Sequence, residues 1–302
     1  MHDLKSTYDK LYPIVKTSME NYVNNRGNIK KSGSEPNFSD TSVITLSLTA
    51  ECLSIDSENL LFKKLNSEYA IDFPGLVERS RYNRRRRNLS KYIDLVRKHL
   101  VDQLIPYEDI YILDSMPLEV CKLARAKRST VCSENYSTAP NHGYCASHNT
   151  YYYGYKLHGM CTISGVITSV DISKANVADV KYLQDIKHQY SDCLVLGDKG
   201  YLSFEDQVDL FETAQIQLET PMRSNQKNYR KQPYVFRKVR KRIETIFSQL
   251  CDQFMIRRNY AKTFQGFKTR LISKITGFTI LQYLNKFLND RPINHVKYAL
   301  AN

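Results

Sequence analysis

The stretch Cys193-Leu-Val-Leu-Gly-Asp198-Lys-Gly-Tyr201 decides how this chain is read. Its first five residues form a short, wholly apolar run. A strand buried on both faces carries such a run, as the strands of parallel sheets do. The run ends on a carboxylate, and the ends of strands in open α/β sheets face the crevice where ligands sit. Upstream, Tyr107 to Ile112 leads into Leu113, Asp114 and Ser115 and predicts a second strand ending on a carboxylate. Tyr151–Thr162 and Val166–Ile172 predict a hairpin turning at Gly165. Asp179 opens an amphipathic helix carrying Val180, Leu183, Ile186 and Tyr190. Residues 216–220 suggest one more strand, stopped by Pro221.

Helices lie on either side of these strands. Tyr234 to Phe254 places Ile243, Phe247, Leu250 and Phe254 on one helical face, and residues 264–288 predict a further helix rich in Leu, Ile and Phe. The first hundred residues read as all-helical. A short helix covers about 6–23, a second runs from Val43 to Leu53 behind the caps Asp40-Thr41-Ser42, a third follows Ser57, and a basic one spans 76–102. Residues 24–42 cluster Gly, Ser, Asn and Pro and predict a mobile loop. The fold class expected is α/β, a mixed sheet with flanking helices preceded by an all-helical N-terminal domain. The expected boundaries are 1–104, 105–260 and a C-terminal helical extension at 261–302.

The 302 residues carry 44 Lys and Arg against 31 Asp and Glu, a formal net charge of +13 that favours a polyanionic partner. At 42% hydrophobic, with 22 Tyr and 12 Phe, the chain can bury a core, which excludes wholesale disorder. No stretch of 18 apolar residues occurs and the first residues lack the apolar core of a secretory signal, so the expectation is a cytoplasmic protein without a membrane partner. The seven cysteines are odd in number and contain no CxxC pair, which argues for reduced thiols over a disulfide framework or zinc ribbon.

Three acidic residues stand out: Asp114, Asp198, and Glu244 in the helical run Arg-Lys-Val-Arg-Lys-Arg-Ile-Glu-Thr-Ile-Phe. Phosphodiester chemistry must activate an oxygen nucleophile and stabilise a leaving alkoxide. Two Mg²⁺ ions roughly 3.5–4 Å apart do both, and Mg²⁺ prefers carboxylate oxygen. Two strand-end Asp and one helix-borne Glu, converging within a few ångströms, would supply such a site. Mn²⁺ would serve as a substitute ion. Arg240 precedes Glu244 by four residues and shares its face, where it would neutralise the carboxylate or grip phosphate, as would Arg237 one turn back. Read singly, each Asp is also a common turn or helix cap, and Glu244 is also an ordinary helix ion-pair residue.

The basic residues fall in blocks. Residues 79–98 hold nine Lys or Arg and one acid, 223–242 hold nine and no acid, and 256–274 hold six and no acid. One such block is ordinarily a solvated helix face, whereas three in one chain point to contact with DNA phosphates. The run Arg84, Arg85, Arg86, Arg87 fans around a helix and would grip backbone rather than read bases. Lys199, beside Asp198, would approach phosphate or serve the turn. The Tyr151-Tyr152-Tyr153 run would stack on unpaired bases or divide between core and surface, and His158 would assist proton transfer or be a satisfied structural histidine.

Four segments carry a family resemblance: Asp114-Ser-Met-Pro-Leu-Glu-Val-Cys121, Tyr151-Tyr-Tyr-Gly-Tyr-Lys-Leu-His158-Gly159, Leu196-Gly-Asp198-Lys-Gly-Tyr201 and Arg242-Ile-Glu244-Thr-Ile-Phe-Ser-Gln-Leu250. Their order and spacing resemble the bacterial DDE transposases of insertion sequences, most nearly the insertion-sequence 982 family, over most of residues 80–290. The resemblance implies a ribonuclease-H-like core over 105–260 and a metal-binding catalytic triad of Asp114, Asp198 and Glu244. It also implies cleavage at insertion-sequence ends, transfer of the 3′-hydroxyl strand to target DNA, and at least a homodimer on double-stranded DNA. The basic helical domain would then bind element ends. Related insertion-sequence families carry Tyr, Arg and Lys around the Glu. Here Arg240 matches the Arg, but Arg237 and Cys251 stand at the Tyr and Lys places, so those auxiliary contacts do not carry over whole. The alternatives are a nuclease of the same fold that hydrolyses without joining, and an inactive DNA-binding relative.

Overall fold

The computed structural model describes residues 3–105, 107–146, 149–226 and 229–301. It divides into two compact units, Met1–Leu104 with Gln249–Asn302, and Ile105–Ser248.

The first unit is helical: α1 (Leu4–Met19), α2 (Asp40–Cys52), α3 (Glu58–Glu68), α4 (Arg79–Asn88), α5 (Ser90–Leu104) and, far along the chain, α9 (Phe264–Phe287). Side-chain caps fix several starts. Asp3 accepts from the Ser6 amide, Ser39 from Ser42, Ser57 from Leu60 and Thr263 from Gly266. The second helix is therefore capped one residue earlier than the sequence suggested. Asp40 instead accepts from the Ile29 amide at 3.1 Å and pairs with Arg85 at 2.7 Å. The stretch preceding it, expected to be a mobile loop, is held by the buried Asn28, which donates to the Pro36 carbonyl and accepts from the Asp40 amide.

Helix α9 is buried on nearly every side and packs against α2 and α5. Its apolar residues fill the core, and four of its Thr and Ser hydroxyls are satisfied by carbonyls. Thr269, Ser273 and Thr279 donate to carbonyls one turn back, and Thr276 donates to the Ile93 carbonyl. A buried ion network ties α9 to α2 and α4. Glu51 takes Arg86 at 2.8 Å on one carboxylate oxygen and Lys274 at 3.0 Å on the other, and Arg86 reaches on to Glu58 at 2.8 Å. The basic helix predicted over 76–102 is two helices that break at Leu89, whose amide closes the end of α4.

The second unit is built on one mixed six-stranded sheet. Its strands are β1 (Ile110–Cys121), β2 (Asn141–Cys145), β3 (Thr150–Thr162), β4 (Ile167–Lys174), β5 (Cys193–Leu196) and β6 (Ile216–Glu219). Their order is β2-β3-β1-β5-β6, with β4 also paired to β3. Pairs β1–β3, β2–β3 and β3–β4 are antiparallel, while β1–β5 and β5–β6 are parallel. The apolar run at 193–196 is thus a parallel strand between two neighbours. Leu113, Met160, Val195 and Leu218 pack on one sheet face with residues of α6 (Leu183–Ile186) and α7 (Phe204–Ala214). The helix expected from Asp179 is a single 3-10 turn over Asp179–Tyr182 running into the one-turn α6. Strand β2 and helix α7 were not anticipated. The last helix of the unit, α8 (Tyr234–Asp252), begins where the sequence placed it.

Two further expectations have direct outcomes. All seven cysteines are free thiols. Among the described residues no helix is long and apolar enough to cross a membrane.

The Glu51 network generates a stability prediction. Glu51→Gln leaves Arg86 and Lys274 buried without their shared counter-charge. Breaking a buried pair in this way costs about 3–5 kcal/mol. The expected readout is a lower urea midpoint with an unchanged denaturant slope.

Candidate active site

Strand β1 does not end at Asp114, as the sequence suggested, but runs on to Cys121 against β3. What ends there is its parallel partner. The last β1–β5 pair is Ile112 with Leu196, so Asp114 and Asp198 each lie two residues beyond it. Register alone therefore sets the two carboxylates at one level on neighbouring chains. Asp198 leaves the strand and caps the following turn, accepting from the Gly200 amide at 2.8 Å. Asp114 accepts from the Ser115 amide at 2.7 Å.

The third acid arrives on α8. Alternate residues of a strand face opposite sides, so Leu113 enters the core beneath α6 and α7 while Asp114 turns to the other face. Across the β1–β3 ladder Asp114 is paired with Gly159. A Cβ at Gly159 would meet the Phe247 ring at 3.3 Å and the Ile243 side chain at 3.9 Å. A side chain at this position would press on the Phe247 ring, which would have to give by a few tenths of an ångström. With Ile243 buried against the sheet, Glu244, the next residue, is exposed and reaches the same cleft as the two Asp.

That cleft has a volume of about 390 Å³ and is lined by Asp114, Asp198, Glu244, Arg240, Asp179 and Lys156, among others. Burial pushes the Asp114 carboxyl up to about 7, the Ser115 amide opposes this, and the nearby Asp198 and Glu244 charges add to it while Arg240 subtracts. Such a carboxyl is poised for a cation, and the hard oxygen donors of the three acids suit Mg²⁺ or Mn²⁺. The fit is one of donor chemistry and charge. Among the described residues no group of three or more His, Cys, Asp or Glu side chains is arranged to hold an ion as it stands.

Two cleft residues escaped the sequence reading. The sequence reads Asp179 as a helix opener, yet it accepts from the Ser115 hydroxyl at 3.0 Å and pairs with Lys156 at 3.1 Å. Lys156 also donates to the Val177 carbonyl at 2.8 Å. Lys156 is placed by the pairing of β3 with β1 and β4, and Asp179 by the 3-10 turn after β4, and neither residue carries a local signal of this.

The basic residues divide. Arg240 lines the cleft half-buried, Lys199 and Arg237 are exposed, and Arg237 lies over the Tyr234 ring. In the expected phosphate-gripping run, Arg84 is exposed and Arg87 half-buried. Arg85 binds Asp40 and the Phe38 carbonyl, and Arg86 is buried between Glu51 and Glu58. Arg86 is thus committed to internal ion pairs, because a helix that fans four consecutive arginines must turn some of them inward. Of the tyrosine run, Tyr151 is exposed and Tyr152 buried, the alternation of a half-covered strand.

His158 is buried, with its Nε2 2.8 Å from the Ser173 hydroxyl and its ring stacked on Tyr182 at 4.8 Å. Burial lowers its pKa to about 4, with Asp179 opposing and Lys156 assisting. It is a neutral structural histidine. Between about 4 and its ordinary value of 6.5 the unfolded chain holds more protons than the folded one, so this contribution to stability is complete above 6.5 and is lost as pH falls towards 4. In His158→Gln, the drop in urea midpoint between about pH 7.5 and about pH 5 is therefore expected to be smaller than in the parent. An equal drop would remove His158 from this account.

Comparison with known proteins adds one finding. A family model described as Transposase DDE domain matches residues 106–278. No curated protein and no solved structure matches the chain. The matched span contains Asp114, Asp198 and Glu244 together with every strand of the mixed sheet. The chain belongs to the transposases of the DDE-domain family.

Proposed function

We propose that this protein is a metal-dependent DNA transposase of the insertion-sequence 982 type, with a ribonuclease-H-like core, that cleaves at element ends and transfers the 3′-hydroxyl strand to target DNA. The observation that carries the reading is the β1–β5 register, which sets Asp114 level with Asp198 in a cleft that Glu244 and Arg240 also line. Asp114, Asp198 and Glu244 would hold two Mg²⁺ ions, with Mn²⁺ as substitute. When bound, such ions supply activation of an oxygen nucleophile and neutralise charge on the leaving oxygen.

The protein's own groups do the positioning. Arg240, beside Glu244, binds the scissile phosphate and offsets the excess acid of the cleft. Lys199 and Arg237 hold flanking phosphates. The Lys156–Asp179–Ser115 chain of contacts fixes the wall next to Asp114. The helical unit, with Arg84 exposed, binds element ends. Cutting and joining two ends requires at least two copies of the chain on DNA, and the cytoplasm is the compartment where such a reaction meets its substrate.

Asp114→Asn, Asp198→Asn and Glu244→Gln are each expected to abolish cleavage of an end-bearing duplex while DNA binding persists, measured by gel assay with Mg²⁺. Full activity in any one of them removes that residue from the site. With pre-cut ends, joined product is expected, and hydrolysis alone would favour a nuclease of the same fold. Binding should weaken steeply with salt. Arg237→Gln should reduce the log–log salt slope by about one.

A further inference from the structure

A second anion-seeking feature lies wholly within the helical unit. Where α4 ends and α9 begins, a pocket of about 180 Å³ is lined by Arg86, Arg87, Arg270 and Lys262, with Glu58 the one carboxylate on its wall. Glu58 is already shared, because its Oε1 takes Arg86 at 2.8 Å and Arg270 at 3.1 Å. Glu51 behind the wall is likewise divided between Arg86 and Lys274. Three cations, Arg86, Arg270 and Lys274, thus share two carboxylates, and Arg87 and Lys262 on the pocket lining add to the positive excess.

The donors tell the same story. Arg86 and Arg270 are only 6% and 5% exposed, yet the Nε atoms of both, and of Arg87, have no hydrogen-bond partner among the described residues. An unsatisfied buried donor costs about 1–3 kcal/mol, more when charged, so these guanidinium groups are left short of acceptors by the protein itself. The first turn of the 24-residue α9 opens on the same space, with Thr263 as its cap and Gly266 in the lining. The amino end of a long helix favours negative charge. A Cβ on Gly266 would stand 3.1 Å from the Thr263 hydroxyl, 3.2 Å from the Ala261 methyl and 3.8 Å from the Arg87 side chain, so glycine keeps this cradle open.

The size narrows the ligand. Pockets for drug-sized molecules run to roughly 300–1,000 Å³, which this one does not reach. Planar guanidinium groups match the oxygens of phosphate. We infer that this pocket is a binding site for a single phosphate group, either a backbone phosphate of DNA or a free phosphate ion. Arg86 and Arg270 form its fixed wall, braced by their carboxylates. Arg87 and Lys262 are the residues free to close on the ligand. The inference is independent of the chemistry proposed for the sheet unit, because its primary probe is inorganic phosphate and not cleavage.

The test titrates the full chain with inorganic phosphate against chloride at matched ionic strength, following melting temperature and calorimetric heat. Arg87→Gln and Lys262→Gln are the variants, since neither residue belongs to the buried Glu51 network. The expected result is a phosphate-specific rise in melting temperature, with affinity on the order of tenfold weaker in Arg87→Gln. A duplex-binding arm separates the sources. Competition by free phosphate and matching loss of duplex affinity in Arg87→Gln assign the site to the DNA backbone, whereas unchanged duplex binding with lost phosphate binding assigns it to the free ion. Phosphate that stabilises no better than chloride, or affinity unchanged in both variants, overturns the inference.

Discussion

The register between β1 and β5 is the constraint on which the site depends. Three parallel pairs, ending at Ile112 with Leu196, hold two strands from distant parts of the chain in step. Strand pairing has a side-chain period of two, so a slip by one residue would turn Asp114 into the core and bring Leu113 out. The burial of Leu113, Met160 and Val195 on the opposite face makes that slip costly. The two Asp backbones are therefore positioned by the hydrophobic packing behind them, and the Ser115 and Gly200 amides orient their carboxylates. This is what a cluster of like charges requires, since its members repel and cannot hold one another in place.

Helix α8 joins the arrangement by the same logic. Ile243 and Phe247 pack over Gly159, where the absence of a side chain leaves room for the Phe247 ring. Glu244 is carried to the cleft because the neighbouring Ile243 is buried. The energetic cost appears at Asp114, whose carboxyl is pushed up to about 7 by burial and by the acids around it. A bound cation would offset that cost. Both units share a theme of charge held under tension: acidic in the sheet cleft, basic in the pocket at the start of α9.

Much of the sheet was legible in the residues. The unbroken apolar run at 193–196 marked a parallel strand, and the alternation around Gly165 marked a hairpin. Those patterns are local consequences of which faces are buried. Edge strand β2, at Asn141–Cys145, escaped because a short strand with polar and small residues has no such pattern. The role of Arg86 escaped because four adjacent arginines look alike until the helix turns one of them towards Glu51 and Glu58. Asp179 and Lys156 escaped because each pairs with a residue more than twenty positions away.

The amino-acid order by itself determined the alternation of elements, the excess of positive charge and the identity of the three acids worth following, since periodicity, composition and strand-end chemistry are properties of neighbouring residues. Tertiary structure alone decided that Asp114 lies within a strand and not at its end, because that depends on where the partner strand stops. It also decided that α9 is packed with helices from the far end of the chain, because a helix buried on nearly every side carries no mark of which surfaces will enclose it.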